Sequence, residues 1–314
     1  MTLIGRHRTQ HTIDIDAAPE VVYRIIADAP AWPQHFAPTI HVEQSRLDRG
    51  TERLRIWAAA NAEVKSWTSI RHLDPAARRI RFRQEVSSPP VAGMGGEWHV
   101  RERPGGTRLV LDHDFDAVGD DPAGVAWITE ATDTNSRTEL ANIRALAENW
   151  DATGELVFAF DDAVLVRAPL EIVYDFLYAA AEWPERLPHV AGLDLTEDVE
   201  NIQRMAMETR TRDGSTHTTE SIRICFPGER IVYKQLVPPS LMTAHTGEWL
   251  FERTANGVLA TSRHTVTLNE DAIERVLGAG ATVASAREFV RRAAGGNSRD
   301  TLALAKEFAE ASHV

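Results

Sequence analysis

The first half of the chain consists largely of segments in which apolar and polar residues alternate, the pattern of a β-strand with one buried face. An alternating segment at 11–16 is followed by a short helix from Pro19 to about Ala27 and by a second short helix or turn at 32–38. Short turns separate the later segments, so these strands are expected to pair as an antiparallel meander. The later elements are strands at 40–47, 51–58, 62–73, 78–86, 94–103 and 107–116, and a long amphipathic helix at about 126–150.

The second half repeats this order of elements. A strand at 155–166 precedes a helix from Pro169, further strands extend to about Leu268, and a helical segment at about 271–311 ends the chain. Two adjacent glycines at 295–296 are expected to break that last helix. The predicted fold class is α+β, with each half a curved antiparallel seven-stranded sheet around a long C-terminal helix. Such a fold readily leaves a cavity between the sheet and the helix.

Short motifs recur about 151 residues apart. A period of this length exceeds that of a solenoid repeat and matches a whole domain. We therefore predict a duplication, with an N-terminal domain at 1–151, a C-terminal domain at 152–314, and a monomeric chain that is a pseudo-dimer of its two halves. The recurring motifs are Trp32-Pro33 and Trp183-Pro184, Gly96-Glu97-Trp98 and Gly247-Glu248-Trp249, and Asn135-Ser136-Arg137 and Asn297-Ser298-Arg299.

Composition narrows the classes of function. The 314 residues suit two domains, and a net charge of −12 argues against nucleic acid as a partner. No apolar run is long enough for a membrane span and no signal region is evident, so a cytoplasmic protein without a membrane partner is expected. The single cysteine, Cys225, excludes an internal disulfide. Neither a nucleotide-binding motif nor a metal-ligand cluster is present, so no metal or other cofactor is expected.

Two strands carry matching polar residues. Alternation places Trp67, Ser69 and Arg71 on one face of the first strand, and the equivalent strand carries Thr219, Ser221 and Arg223. An ordinary solvated face would explain such a pattern as well as an inward-facing site would. The recurrence of Ser-Ile-Arg in both halves favours the inward-facing alternative, and the choice between the two stays open at this point.

A histidine recurs near the end of the last strand of each half, as His113 and His264. An imidazole beside an inward arginine could transfer protons near neutral pH, but a strand histidine is also commonly a structural residue. Asn135 and Asn297 are expected to open or interrupt the long helices, where helix capping is the simpler explanation. Aromatic and polar side chains around the two Trp-Pro motifs are candidate pocket walls. They are Trp32, His35 and Phe36 in the first half and Trp183 and Arg186 in the second, with Trp98 and Trp249 on the neighbouring strands.

These residues together resemble one family, the aromatase/cyclases of bacterial type II polyketide synthases, which have the START or Bet v 1-like helix-grip fold. The resemblance covers essentially the whole chain, and the duplication is similar to that of the di-domain members. Its basis is the order and spacing of the motifs in both halves. The stretches are Trp32-Pro33 with Phe36, Trp67-x-Ser69-x-Arg71, Asp74-Pro75, Gly96-Glu97-Trp98, the His113 strand and Asn135-Ser136-Arg137-Thr138, then Trp183-Pro184, Ser221-x-Arg223, Gly247-Glu248-Trp249, His264 and Asn297-Ser298-Arg299.

The resemblance implies two tandem helix-grip domains and an antibiotic-pathway enzyme. The implied substrate is a reduced poly-β-ketone that phosphopantetheine tethers to an acyl carrier protein, and other synthase subunits are implied partners. The implied reaction is a regiospecific intramolecular aldol cyclisation, expected between C7 and C12, followed by dehydration to an aromatic ring. The family's pocket arginine corresponds to Arg71 and Arg223, its strand histidine to His113 and His264, and its helix-start polar residue to Asn135 and Asn297.

Chemistry then suggests separate roles for these residues. A guanidinium rarely loses its proton, because its pKa exceeds about 12, so Arg71 and Arg223 are expected to stabilise an oxyanion. A histidine is the better proton carrier, and Ser69 or Ser221 would position a water or an enol. Thr219 stands where the first half has Trp67, which leaves open which half is active.

Two other classes of function stay open. The chain could be a non-catalytic carrier of a hydrophobic small molecule, or an assembly factor of a synthase complex. Docking of an acidic carrier protein would need a local basic patch on this acidic chain, although such arginines can equally be ordinary solvated strand residues. The candidates are Arg78, Arg79, Arg81 and Arg83, or Arg101, Arg103 and Arg108.

Overall fold

The chain forms two compact units, Met1–Thr153 and Gly154–Val314. In this computed structural model the described residues are 6–60, 63–210 and 214–313. Each unit is built around one antiparallel seven-stranded sheet, so the predicted fold class is confirmed.

In the first unit, two short helices follow the first strand and one long helix follows the last. The order of strands across the sheet is β1-β7-β6-β5-β4-β3-β2, a meander closed by the first strand against the last. The bounds are β1 His7–Ile15, α1 Pro19–Ala27, α2 Trp32–His35, β2 Thr39–Asp48, β3 Thr51–Ala60, β4 Glu63–Asp74, β5 Arg79–Val86, β6 Val91–Arg103, β7 Gly106–Ala117, α3 Pro122–Glu148 and, across the boundary, α4 Trp150–Leu156.

The second unit has the same topology, with sheet order β8-β14-β13-β12-β11-β10-β9. Between its last strand and its long helix it has an additional short helix, where the first unit has only a 3₁₀ turn at Val118–Asp120. The bounds are β8 Val157–Val166, α5 Leu170–Tyr178, α6 Trp183–Arg186, β9 Val190–Val199, β10 Ile202–Arg210, β11 Thr216–Phe226, β12 Arg230–Val237, β13 Met242–Thr254, β14 Gly257–Leu268, α7 Ile273–Leu277 and α8 Val283–Ala311.

The core of each unit lies between the concave face of the sheet and its helices. In the first unit, Ile25 of α1 and Ile143 of α3 pack with Leu109 and Leu111 of β7. In the second, Phe176 of α5 belongs to a cluster with residues of β8, β13 and α8. Burial of these apolar side chains contributes roughly 25 cal/mol for each Å² removed from water, which is the main stabilisation of the grip between sheet and helix.

Two features of the second half differ from the sequence-based expectation: the continuity of its long helix and the start of its first strand. The Gly295–Gly296 pair does not break α8, because a glycine in a helix interior costs only about 1 kcal/mol and packing of a long amphipathic face outweighs that cost. A Cβ at Gly295 would lie 2.0 Å from Nη1 of Arg291, so the glycine leaves room for that arginine to reach Asp162. The expected start of the second-half strand at 155 was also wrong, because α4 continues to Leu156.

The sequence suggested that Asn135 and Asn297 open or interrupt the long helices, but the structure places neither at a helix start. Both are within the interior of α3 and α8. The side chain of Asp121 caps α3 by accepting a hydrogen bond from the Gly124 N–H, and Thr282 caps α8. An Asn favours a cap only where the first backbone N–H groups of the helix lack partners, and those groups lie elsewhere in both helices.

No helix in the described part of the chain is both long enough and apolar enough to cross a membrane.

Candidate functional site

A cavity of about 600 Å³ lies inside the second unit, between the concave face of its sheet and α8. Val237, Val276 and Phe289 both line this cavity and are 39% to 49% exposed, so they mark its mouth. Val276 belongs to α7, the helix that the first unit lacks. A cavity of this size suits a small organic ligand. The lining residues that the sequence analysis had singled out are Trp183, Thr219, Ser221, Arg223, Trp249, His264 and Asn297.

Arg223 is the buried cation of this cavity, with 1% of its surface exposed. Its Nη2 donates to the carbonyl of Leu177 at the end of α5, and its guanidinium carbon lies 5.0 Å from the ring centroid of Trp183. Nε and Nη1 have no hydrogen-bond partner among the described residues. Burial lowers the pKa of this guanidinium, since the charged form is poorly solvated. The side chain of Arg223 is therefore buried with two N–H donors that have no partner among the described residues.

Arg71 is the equivalent of Arg223 and has a different environment. Its Nε donates to Oε1 of Glu52 at 2.8 Å, its Nη1 to the carbonyl of Ile26 at 2.8 Å and its Nη2 to that of Ala27 at 2.7 Å. This arginine is thus neutralised by a buried carboxylate and holds the C-terminal end of α1, where the carbonyls carry partial negative charge.

The difference between the two arginines comes from one position on the neighbouring strand. Glu52 pairs with Arg71 across β3 and β4, whereas Gln203 pairs with Arg223 across β10 and β11. The amide of Gln203 donates from Nε2 to Oε2 of Glu197 at 2.8 Å. The negative charge in the second unit is therefore one side chain further from the guanidinium than in the first.

His264 lies at the centre of a hydrogen-bond network in the cavity. Its Nδ1 is 2.9 Å from Nε2 of His245 and 3.0 Å from Oη of Tyr233. Its Nε2 is 2.7 Å from Oγ of Ser298 and 3.1 Å from Oγ of Ser262. Burial lowers the pKa of His264 to about 4, so its imidazole is neutral near neutral pH and one ring nitrogen carries a free lone pair.

His113, the equivalent in the first unit, has fewer polar neighbours. Its Nδ1 is buried and lacks a hydrogen-bond partner among the residues that the structure describes. The ring of Phe82 meets it edge-on at 5.5 Å between centroids. Burial lowers the pKa of His113 to about 4 as well, so the two histidines share a charge state and differ in their hydrogen bonds.

The other candidates of the first unit lie mainly in structural contacts. The indole of Trp32 donates to the Ile25 carbonyl at 3.1 Å, and Ser69 Oγ donates to the Arg83 carbonyl at 3.1 Å. His35 packs against Trp150. The remaining candidates are Phe36 and Trp98, both in the apolar core, Trp67, which packs on a second cluster, and Asn135, which is exposed on α3.

In the second unit, Arg186 is the one proposed site residue outside the cavity lining. Its guanidinium carbon lies 4.6 Å from the ring centroid of Phe308 and 5.2 Å from that of Phe176, a cation–π arrangement. Thr219 and Ser221 are both buried and face the cavity from β11. Trp183 and Trp249 form apolar parts of its wall.

Several residues of the site were missed in the sequence. Tyr233, His245, Ser262 and Ser298 contact His264 directly, and Gln203 determines the charge next to Arg223. Aligning the two halves would have revealed three of them, because a polar residue in the second half replaces an apolar residue at the equivalent position of the first. The pairs are Phe82 and Tyr233, Met94 and His245, and Leu111 and Ser262.

The predicted basic patch is not a free cationic surface. Six of its seven arginines lie within 4 Å of a carboxylate, which compensates their charge. The pairs are Arg78 with Glu20, Arg79 and Arg81 with Glu97, Arg83 with Asp114, Arg103 with Asp16, and Arg108 with Asp14. The described residues contain no group of three or more His, Cys, Asp or Glu side chains placed to hold a metal ion.

Comparison with known proteins adds an independent line of evidence. Residues 6–148 match the family model described as polyketide cyclase/dehydrase and lipid transport. The chain is 46% identical over 312 residues to the actinorhodin polyketide synthase bifunctional cyclase/dehydratase of Streptomyces coelicolor, with 96% of each chain covered.

Two solved structures are similar over nearly the full length. The di-domain ARO/CYC BexL from the BE-7585A biosynthetic pathway has 53% identity and a TM-score of 0.88, over 97% of this chain and 99% of that one. The di-domain ARO/CYC StfQ from the steffimycin biosynthetic pathway has 35% identity and a TM-score of 0.85, with the same coverage.

Proposed function

The chain belongs to the di-domain aromatase/cyclases of type II polyketide synthases and is a polyketide cyclase/dehydratase, and on this premise we propose that the cavity of the second unit is where its chemistry takes place. The proposed substrate is a poly-β-ketone, reduced at one ketone and held as a thioester on the phosphopantetheine arm of an acyl carrier protein. The proposed ring closure joins C7 and C12. The thioester arm would enter between Val237, Val276 and Phe289 at the cavity mouth.

The observation that carries this proposal is the uncompensated guanidinium of Arg223. Burying a charge without a partner is costly, and it is retained in proteins chiefly where a ligand or a transition state supplies the partner. Ring closure by aldol addition generates an oxyanion on the attacked ketone. Nε and Nη1 of Arg223, which lack a partner among the described residues, are suited to stabilise that oxyanion.

In the first step, a methylene group between two ketones loses a proton to His264. The resulting enolate carbon attacks the distant ketone, so that a carbon–carbon bond forms and the ketone oxygen takes the negative charge beside Arg223. The apolar walls, including Trp183 and Trp249, hold the flexible chain folded, and such confinement can supply several kcal/mol of the barrier. A proton returned from the imidazolium gives the β-hydroxy ketone.

In the second step, the same histidine removes a proton from the carbon that lies between the hydroxyl-bearing carbon and a ketone. The hydroxyl then leaves with a proton as water, a double bond forms, and enolisation of the remaining ketones gives the aromatic ring. Tyr233 Oη lies 3.0 Å from Nδ1 of His264, and burial raises the pKa of its phenol, so it is protonated and suited to donate to the leaving oxygen. The imidazolium then returns a proton to the phenolate.

Two other functions agree less well with this cavity. A carrier of a hydrophobic molecule would need an almost wholly apolar lining, whereas Arg223, His264 and Ser221 converge on the space. An assembly factor would act through its surface, so its function would not change when a carboxylate is moved next to the buried Arg223. The experiment below distinguishes both from an enzyme.

The double variant Glu197→Gln/Gln203→Glu moves the carboxylate one side chain closer to Arg223 and conserves the composition. We expect the carboxylate at position 203 to form an ion pair with the Arg223 guanidinium, as Glu52 does with Arg71. Loss of one oxyanion donor costs about 10²–10³ in kcat. The measurement is product formation by a reconstituted minimal synthase and ketoreductase, with the rise of shunt products as the readout.

Glu52→Gln in the first unit is the matched control. It leaves Arg71 without its carboxylate, so we expect reduced thermal stability but a nearly normal product spectrum at low temperature. Normal cyclisation by the Glu197→Gln/Gln203→Glu variant would contradict the proposal, as would loss of cyclisation in the control alone.

A further inference from the structure

A second histidine, His245, lies beside His264 in the wall of the cavity. The ring centroids of His245 and His264 are 5.2 Å apart with the ring planes inclined by 24°, and Nε2 of His245 lies 2.9 Å from Nδ1 of His264. On its far side, Nδ1 of His245 lies 2.8 Å from Oε1 of Gln235. The three side chains thus form a continuous line of hydrogen bonds along the cavity wall.

The direction of these hydrogen bonds follows from the groups that can only accept. A carbonyl oxygen has no proton, so Nδ1 of His245 must be the donor to Gln235. Burial lowers the pKa of His245 to about 3 and that of His264 to about 4, so each ring carries a single N–H near neutral pH. Nε2 of His245 is then an acceptor, and the proton between the two rings belongs to Nδ1 of His264.

This leaves Nε2 of His264 as the unprotonated nitrogen. It lies 2.7 Å from Oγ of Ser298 and 3.1 Å from Oγ of Ser262, and both hydroxyls can donate to it. Tyr233 Oη, 3.0 Å from Nδ1, can only accept from the same N–H. The phenolic proton is therefore free to point into the cavity.

The first unit shows that the fold does not need this arrangement. The same strands carry Met94 in place of His245 and Phe82 in place of Tyr233, and Nδ1 of His113 has no partner among the described residues. Gln84, the equivalent of Gln235, is retained but has no second imidazole to hold. The two buried histidines of the second unit are thus an addition to a fold that forms without them.

We propose that His245, oriented by Gln235, is a positioning residue that fixes His264 in the Nδ1–H tautomer and so makes Nε2 the proton acceptor of the cavity. This inference rests on the proposed function, because it assigns the direction of proton transfer at the same site. Ser298 Oγ lies 2.7 Å from Nε2, so its hydroxyl can relay a proton between the substrate and the imidazole.

The test is the tautomer itself, read from side-chain ¹⁵N shifts and long-range ¹H–¹⁵N correlations of histidine-labelled full-length protein at neutral pH. Loss of signals in His264→Gln assigns the ring. We expect Nε2 of His264 to be unprotonated in the unaltered protein. In His245→Phe, which retains an aromatic ring at this position without its nitrogens, we expect a substantial population of the Nε2–H tautomer and a fall in kcat of up to about 10²-fold at little change in KM.

Gln235→Leu is a second variant that leaves both imidazoles in place. It removes the acceptor that orients His245, and we expect the same change of tautomer to a smaller extent. Met94→Phe is the matched control in the first unit, and it should leave both the His264 signals and kcat unchanged.

Three results would overturn the inference: a protonated Nε2 in the unaltered protein, an unchanged tautomer in both variants, or a changed tautomer with unchanged kcat. Failure of the proposed function is a separate result, because the Glu197→Gln/Gln203→Glu variant would then also retain full activity whatever the tautomer of His264.

Discussion

At the scale of single residues, the two halves differ in how they satisfy buried polar groups. Arg71 has a carboxylate and two helix carbonyls, whereas Arg223 has one carbonyl and a neutral amide neighbour. Removing one partner of a buried ion pair typically costs 3–5 kcal/mol, so loss of Glu52 alone is expected to destabilise the first unit by leaving Arg71 without the carboxylate that stabilises its charge. The cavity arginine lacks this stabilisation, which is consistent with a site that trades stability for activity.

The buried histidines predict how stability depends on pH. Burial lowers the pKa of His113 and His264 to about 4 and that of His245 to about 3, below the ordinary value of 6.5. Below pH 6.5 the unfolded chain therefore binds protons that the folded chain does not, so the free energy of unfolding falls as the pH falls towards 4. Each such histidine contributes a slope of about 1.4 kcal/mol per pH unit within this window.

Urea denaturation at pH steps from 7 to 4 measures this slope. The variant His113→Gln removes one of these histidines and lies outside the proposed site. We expect its free energy of unfolding to depend less steeply on pH, by about 1.4 kcal/mol per pH unit, while its activity is retained. An identical slope in His113→Gln and the unaltered protein would show that His113 does not resist protonation.

At the scale of elements, the repeated Gly-Glu-Trp motif has a packing explanation. Gly247 of β13 pairs with Tyr233 of β12, and Gly96 of β6 pairs with Phe82 of β5. A Cβ at Gly247 would lie 2.3 Å from Oη of Tyr233 and 2.6 Å from the carbonyl of Arg263. The glycine thus lets an aromatic side chain lie across the strand, and in the second unit this places the phenol beside His264.

The variant Gly247→Ala should displace Tyr233 and strain the adjacent strand. We expect a loss of about 1–3 kcal/mol in the free energy of unfolding, as for other overpacked sites, together with reduced product formation. Gly296→Ala is the control, since a Cβ there meets no atom within 4 Å and the helix should gain up to about 1 kcal/mol. Equal urea midpoints for the two variants would contradict this explanation of the motif.

At the scale of the whole molecule, a duplicated fold has one half with a neutralised arginine and one with an uncompensated arginine. The predicted domain boundary at 151/152 stays a prediction, and α4, at Trp150–Leu156, spans it. If the halves are separate domains, a cavity created by mutation in the core of one half should lower the stability of that half alone. Leu109 is fully buried in the first core and offers such a probe.

Leu109→Ala should cost about 2–5 kcal/mol within the first unit. Hydrogen exchange followed by mass spectrometry should then show faster exchange throughout Met1–Thr153 and unchanged protection in Gly154–Val314. Uniformly faster exchange along the whole chain would mean that the two units unfold as one, and that the predicted boundary does not separate independent domains.

The sequence by itself determined the duplication, the order of strands and helices, and the family, because alternation of polarity and turn residues are local properties that survive in both copies. It also singled out Arg223 and His264, which recur at matching positions and line the cavity. It misplaced Asn135 and Asn297 and missed His245, because the start of a helix and a cross-strand neighbour depend on where other elements lie. Only the tertiary structure decided that Gln203 faces one arginine and Glu52 the other. The charge next to a buried guanidinium comes from a strand some 20 residues away in the sequence, and register, not local pattern, brings the two together.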